Sequence, residues 1–257
     1  MTAPTRWVIG RGLLGRAVLR TRPDRGLDVT VPWDDPRQSQ LAIADGIARL
    51  TAHAGPLEIY WCAGVGVTST PASELEVEVG VFERALETLE ALPSDIRARL
   101  SIFLASSVGG AYAGSTSPPF SESTPPAPLS PYGEAKLRME SSLSAATDRA
   151  GWHAFIGRLT NVYGAGQDLR KAQGLISALV RSNLTGQPLS LYVPLDTLRD
   201  YVYEDDCAAV IDRGMTRVAS EPPGTTVTKI IGTMRALSLI HISEPRDKRQ
   251  SRMPSSA

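Results

Sequence analysis

Tyr132 and Lys136 stand four residues apart in Ser130-Pro131-Tyr132-Gly133-Glu134-Ala135-Lys136. That spacing, just inside a helix opened by Ser-Pro, predicts both side chains on one face, one turn apart. A free phenol, with a pKa near ~10, is a poor acid–base catalyst at neutral pH. An ammonium one turn away favours the phenolate and brings it into working range. The same spacing also fits a surface Tyr and Lys on an ordinary helix. The elements that would bring a cofactor and a substrate to the pair decide between the two.

The 257 residues suffice for one large α/β domain or two modest ones. Lys+Arg 27 balances Asp+Glu 27, so no net field draws the chain to nucleic acid or an anionic membrane. Cys62 and Cys207 lie in apolar runs, the pattern of buried, reduced thiols in a reducing cytoplasm. His53, His153 and His241 are scattered without ligand spacing, so no metal is expected. Met1–Arg6 is too short and polar for a signal peptide, and no apolar run approaches the ~18 residues that span a bilayer. A soluble, cytoplasmic protein is expected.

Trp7-Val8-Ile9 is a short strand running into Gly10-Arg11-Gly12-Leu13-Leu14-Gly15 and then a helix. This is G-x-G-x-x-G between a strand and a helix. The first glycine makes the turn, the second lets backbone approach a pyrophosphate, and the third permits close helix–strand packing. Free N–H groups and the dipole at the helix start favour phosphate there. A glycine-rich turn without a ligand is the alternative. Leu27–Val31 reads as the second strand, after which Pro32-Trp33-Asp34-Asp35-Pro36-Arg37 offers both an acid and a base. Asp34, nineteen positions after Gly15, suits a ribose of NAD, while Arg37 suits the 2′-phosphate of NADP. Helix capping by Asp34 or Asp35 fits equally.

A helix over 39–52, a buried strand over Leu57–Gly64, a helix over Glu74–Leu92 and a strand over Leu100–Ala105 follow. Ala63 and Gly64 leave room for a cofactor over the sheet edge, and Ser106-Ser107 arrive at the carboxyl end of the next strand. Strand–helix alternation argues a parallel, doubly wound sheet. Residues 114–131, rich in Ser, Thr and Pro, are expected as an ordered loop over an active site. The helix from Tyr132 runs to about Arg149, and His153–Leu159 is the next strand.

Together these blocks resemble the extended short-chain dehydrogenase/reductase family, the NAD-dependent epimerase/dehydratase group that acts largely on nucleotide sugars. The matching residues are Gly10–Gly15, Ser106-Ser107, Tyr132 with Lys136, Arg158-Leu159-Thr160-Asn161-Val162-Tyr163-Gly164, and Arg199-Asp200-Tyr201-Val202-Tyr203-Glu204-Asp205-Asp206. They appear in the family's order over roughly residues 7–235. The resemblance implies Tyr132 as general acid/base and Lys136 as its partner and a holder of the nicotinamide ribose. It implies Ser107, with Ser106 as fallback, as the hydroxyl on the reacting oxygen. Asn161 and Tyr163 would line the cofactor and substrate side of the cleft, and Arg199 would pair with a substrate diphosphate. A surface ion pair between Arg199 and Asp200 is the plainer reading. The acid usual at the end of the family's third strand has no equivalent, because Gly55-Pro56-Leu57-Glu58 stands there.

The expected fold is therefore α/β, a doubly wound parallel sheet (Rossmann) with a small, truncated C-terminal substrate lobe. Residues 1–165 would form the dinucleotide-binding domain, 166–236 a partial substrate lobe containing a strand at Val227–Gly232, and 237–257 a non-native tail. Leu237–Pro245 and Ser251–Ala257 match, in order, the translation of a transposase-type sequencing adapter, and a disordered basic tail is the alternative. The expected activity is an NAD- or NADP-dependent epimerase, dehydratase or reductase on a nucleotide sugar or similar hydroxyl/carbonyl substrate. A carbonyl reductase of the same fold and a non-catalytic dinucleotide sensor are the rivals. Leu137, Leu143 and Ala146 on the Tyr132 helix serve either a homodimer or the core.

Overall fold

Side-chain alternation along five short parallel strands builds the molecule. The computed structural model describes residues 3–23, 26–64, 66–169, 174–190 and 194–238. Strands β1 (Thr5–Ile9), β2 (Leu57–Trp61), β3 (Leu100–Ser107), β4 (His153–Leu159) and β8 (Thr226–Ile231) form one sheet in the order β1-β2-β3-β4-β8, every pair parallel. Successive residues point to opposite faces. Trp7, Ile9, Ile59, Trp61, Ile102, Leu104, Ala154 and Ile156 pack with helices α2 (Pro36–Thr51), α3 (Ala72–Glu90) and α6 (Pro131–Ala150) on one side. Val8, Tyr60, Phe103 and Phe155 pack with α1 (Leu13–Thr21) and α8 (Glu204–Val218) on the other. Near-continuous burial of these strands is what a parallel sheet covered on both faces requires.

Two expectations are corrected here, and one open alternative is narrowed. Leu27–Val31 lies beside β1 without forming a ladder: one bridge joins Gly26 to Arg6, and Leu27 N donates to Arg6 O at 2.6 Å. Val29 N turns back onto Leu27 O at 3.2 Å, so the donor that would extend the pairing is spent locally. Its alternation survives, with Leu27, Val29 and Val31 buried. Second, Thr226–Ile231 is no part of a substrate lobe. It pairs with β4 from Ala154↔Thr226 to Leu159↔Ile231 and forms the fifth strand of the main sheet. Of the two uses left open for Leu137, Leu143 and Ala146, Leu143 and Ala146 take the core, wholly buried beside α3, while Leu137 is half-buried.

After α2 the chain enters β2 on the far side of β1 from the 27–31 segment, so the winding reverses at β1. Among the described residues no strand lies outside that segment, which is why the acid of a third strand has no place to stand. Short helices α4 (Ser94–Arg97) and α5 (Val108–Ala111) flank β3. The remaining elements are β5 (Asn161–Tyr163) paired with β7 (Tyr201–Tyr203), β6 (Leu198–Arg199) paired with β9 (Leu237–Ser238), and α7 (Leu175–Thr185). Helix α7 buries none of its residues. His241 and residues 239–257 of the tail lie outside the described residues. Among the described residues no helix is long and apolar enough to cross a membrane.

Candidate active site

The glycine turn sits where the winding reverses, the place at which a doubly wound sheet receives ligands. Gly10 has φ +89°, and a Cβ there would lie 2.3 Å from Ala63 N. A Cβ on Gly15 would lie 2.0 Å from Gly10 O, so this residue lets α1 close on the turn. A Cβ on Gly12 would meet nothing within 4 Å; it borders the open cleft. Gly12 also caps α1 without any side-chain hydrogen bond, leaving first-turn N–H groups for an anion. This cradle fits a pyrophosphate.

Two cavities meet over the turn. The smaller, about 380 Å³, runs toward Val29, Val31 and Trp33. The larger, about 1110 Å³, runs over the carboxyl ends of β3 and β4. Arg11, Gly12, Cys62, Ala63 and Gly64 line both. Trp33 packs edge-on against Trp61 at 6.3 Å, which fixes the apolar wall of the smaller cavity. Arg11 pairs with Asp28 at 2.8 Å at its rim. Leu13 and Leu14 line the larger one. Burial pushes the Cys62 thiol up, and the Cys207 thiol to about 12, so both are protonated, free thiols.

Helix α6 opens as the sequence requires: Ser130 accepts from Gly133 N at 3.3 Å and Pro131 occupies the first turn. A Cβ on Gly133 would lie 2.3 Å from Gly110 O, and one on Gly110 would lie 3.2 Å from the Tyr132 ring and 3.4 Å from Ser107 Cβ. Two glycines thus let α5 dock on α6, bringing Ser107 and Tyr132 to one spot. Ser107 Oγ accepts from Gly110 N at 3.1 Å, which leaves its own O–H to donate into the cleft. Lys136 Nζ stands 5.8 Å from the Tyr132 ring centroid and is buried. Ser107, Tyr132 and Lys136 all line the larger cavity.

Ser106 also borders the cavity, but its hydroxyl donates to the buried Glu140, so it is tied to the scaffold. Asn161 Nδ2 donates to Asp200 O at 2.8 Å, and Tyr163 packs edge-on against Tyr203 at 5.6 Å; both line the larger cavity with Arg199. Among the described residues no ion pair joins Arg199 to Asp200, whose carboxylate bonds Thr160 Oγ1 at 3.2 Å and Thr233 N at 3.0 Å. Asp34 is exposed and borders neither cavity. Capping falls to Asp35, which accepts from Arg37 N at 2.8 Å. The 114–131 loop is ordered, bonding Ala127 N to Ala111 O at 2.8 Å and Ile230 N to Glu122 at 3.1 Å, but it does not line the larger cavity. Among the described residues no group of His, Cys, Asp or Glu could hold a metal.

Sequence reasoning missed Glu78. It pairs with Lys136 at 2.9 Å, both side chains buried. The available signal was a charge on the apolar stripe of α3, between Leu75, Val79 and Phe82.

A reversed parallel winding, a glycine cradle and a Ser–Tyr–Lys cluster on one cleft define a dinucleotide-binding α/β protein. The chain belongs to the NAD dependent epimerase/dehydratase family, whose model matches residues 8–228. It is 32% identical over 127 residues to dTDP-L-rhamnose 4-epimerase of Burkholderia thailandensis, covering 49% of this chain and 34% of that one. It is 30% identical over 105 residues to dTDP-4-dehydro-6-deoxyglucose reductase of Escherichia coli, covering 41% and 33%. The matched stretches therefore span about a third of those relatives' lengths. In fold it resembles the UDP-glucose 4-epimerase of Thermus thermophilus in complex with NAD, with TM-score 0.75 and 20% identity over 93% of this chain and 81% of that one.

Proposed function

We propose that this chain carries the NAD site and acid–base residues of an epimerase/dehydratase-type oxidoreductase acting on a nucleotide sugar. The observation that supports it most is the meeting of Ser107, Tyr132 and Lys136 on the cleft that opens from the glycine cradle. Adenosine would occupy the smaller cavity against Trp33 and the pyrophosphate the turn Gly10–Gly15. The nicotinamide side would lie over Ala63, Gly64, Lys136 and Asn161. Nicotinamide, when bound, supplies a hydride acceptor and donor.

Tyr132 takes the proton of a substrate hydroxyl as the adjoining carbon gives up its hydride, and returns a proton in the reverse direction. Ser107 donates its O–H to the reacting oxygen. Lys136 holds its charge beside the phenol ring and donates toward the ribose. Arg199, a planar fork of donors on the cleft wall, faces the diphosphate of the substrate. NAD is favoured by the family match and by the NAD complex of the Thermus neighbour.

The test is calorimetry with NAD and NADP on wild type and Tyr132→Phe, followed by a turnover screen of UDP- and dTDP-sugars read by chromatography of the sugar products, with the reduced-cofactor absorbance band followed alongside. Equal cofactor binding with turnover in wild type alone is the expected result. Binding without any turnover in wild type moves the reading to a dinucleotide sensor. No binding removes the cofactor assignment.

A further inference from the structure

Lys136 and Glu78 form a buried ion pair where the two cavities meet: Glu78 lines the smaller and Lys136 the larger. Gly64 lies directly against it, since a Cβ there would stand 3.0 Å from both Glu78 Oε1 and Lys136 Nζ. Glu78 Oε1 takes one of the three ammonium donors. Its Oε2 is buried without a hydrogen-bond partner. A carboxylate placed to hold the scaffold together has both oxygens satisfied, and this one is engaged by the lysine alone.

We propose that Glu78 is a positioning residue for Lys136. It draws the ammonium to the seam beside Gly64; a second N–H makes only a weak contact with Met139 Sδ at 3.9 Å, and the third is left for a hydroxyl-bearing ligand in the larger cleft. The proposal rests on the reading above, in which that ligand is the nicotinamide-side ribose. It assigns to α3, an element without a Tyr–Lys motif, control over where the lysine points. Without Glu78 the four-carbon stem of Lys136 regains its rotamers, and part of the ordering cost returns to the binding step.

The test compares NAD with ADP, which shares the adenosine diphosphate and lacks the nicotinamide riboside. Calorimetry is run on wild type, Glu78→Gln, Lys136→Met and the double variant, with thermal melts to verify folding. Glu78→Gln is expected to weaken NAD by about tenfold, on the scale of a charge-assisted hydrogen bond, with ADP held within about twofold. In the Lys136→Met background, adding Glu78→Gln should change NAD binding by less than about twofold, because Glu78 acts through the lysine. The double variant strands no buried charge and keeps the test open if Glu78→Gln fails to fold. Equal loss of NAD and ADP, no loss of NAD, or a further loss in the Lys136→Met background overturns the proposal while the cofactor reading stands. Wild type that binds ADP and NAD equally overturns both.

Discussion

Two buried charge pairs meet helix α6 one turn apart, at Lys136 and at Glu140, and they are built differently. Their side chains are almost equally hidden: 6% and 10% exposed for Lys136 and Glu78, 9% and 8% for Arg158 and Glu140. Burial does not separate them; saturation does. Glu140 Oε1 accepts from Arg158 Nε at 3.0 Å and from Ser106, and Oε2 accepts from Arg158 Nη2 at 2.6 Å. Arg158 Nη1 goes on to Tyr112 OH, which donates to Ser121 O at 3.1 Å. Burial works to lower the Arg158 pKa, and its bonds to Glu140 and then Tyr112 overcome this and leave it raised. That network stitches β3, β4, α6 and the loop together with every oxygen of its carboxylate used. The Glu78–Lys136 pair lies at the cleft, and beyond it, among the described residues, the ammonium reaches only Met139 Sδ at 3.9 Å and the Tyr132 ring at 5.8 Å, while Glu78 Oε2 has no partner. A saturated pair builds structure, and a half-satisfied pair beside a cavity is available for a ligand.

The largest expected effect comes from breaking the saturated pair. Glu140→Ala strands the Arg158 charge and the Ser106 hydroxyl, at a cost of about 3–5 kcal/mol, which lowers the thermal midpoint by roughly 10 °C for a chain of this size. Replacing both partners with apolar residues of similar volume, Glu140→Leu with Arg158→Met, should cost less than Glu140→Ala alone. Chemical denaturation of the three proteins checks the order. A Glu140→Ala loss under about 1 kcal/mol would remove the structural half of the comparison.

The two serines sharpen the contrast at smaller scale. Ser106→Ala removes a hydroxyl that donates to Glu140 and should lower stability by about 1–2 kcal/mol, with the chemical step preserved. Ser107→Ala removes only a cap on the four-residue helix α5, worth about 0.5–1 kcal/mol. It should cut turnover at least ~100-fold, the scale of one donor to a reacting oxygen. Melts and steady-state rates on both variants separate the roles. The opposite ranking in either measurement would exchange the assignments of Ser106 and Ser107.

Much of this arrangement was legible in the chain. Short apolar runs at Trp7–Ile9, Leu57–Trp61 and Leu100–Leu104, which the structure buries on both faces, named the strands, and the Ser-Pro start located α6 within a residue. The Gly10–Gly15 spacing located the cradle, because a Cβ at Gly10 or Gly15 collides with fixed backbone. What stayed hidden depends on contacts distant in sequence. Lys136 meets Glu78 across 58 positions, and Ser106 meets Glu140 across 34. Local spacing cannot report either, although a charge on an apolar helical stripe marks both carboxylates. The strand expected over Val227–Gly232 belongs to the main sheet and not to a substrate lobe, because an apolar run names a strand and not its neighbour. Asp34 was favoured by its distance from Gly15, whereas it is the neighbouring Trp33 that lines the smaller cavity, and Asp34, at the bend before α2, stays in solvent.

The smallest effect marks the lower limit of the comparison, a charge contact at the surface. Glu122 anchors the proline-rich loop to β8 by accepting from Ile230 N at 3.1 Å, with Lys229 Nζ 3.7 Å away. Its pKa lies below the ordinary 4.5, first through its own backbone N–H; burial opposes this, and Ile230 N–H and then Lys229 lower it further. A carboxylate whose folded pKa is depressed contributes stability that is present above its unfolded pKa and is lost as pH falls through the folded one. The loss therefore falls below about pH 4.5 and is absent at neutral pH. Glu122→Gln should flatten the acid limb of the stability curve slightly and lower stability at pH 7 by no more than a few tenths of a kcal/mol, since the side chain is 38% exposed and solvent screens the pair. Denaturant midpoints at pH 3.5 and pH 7 for the two proteins give the difference, taken within the range where wild type stays folded. An acid dependence equal in both would mean that the loop is held by its bonds to Ala111, Gly114 and Tyr112 and that the Glu122 charge adds nothing to them.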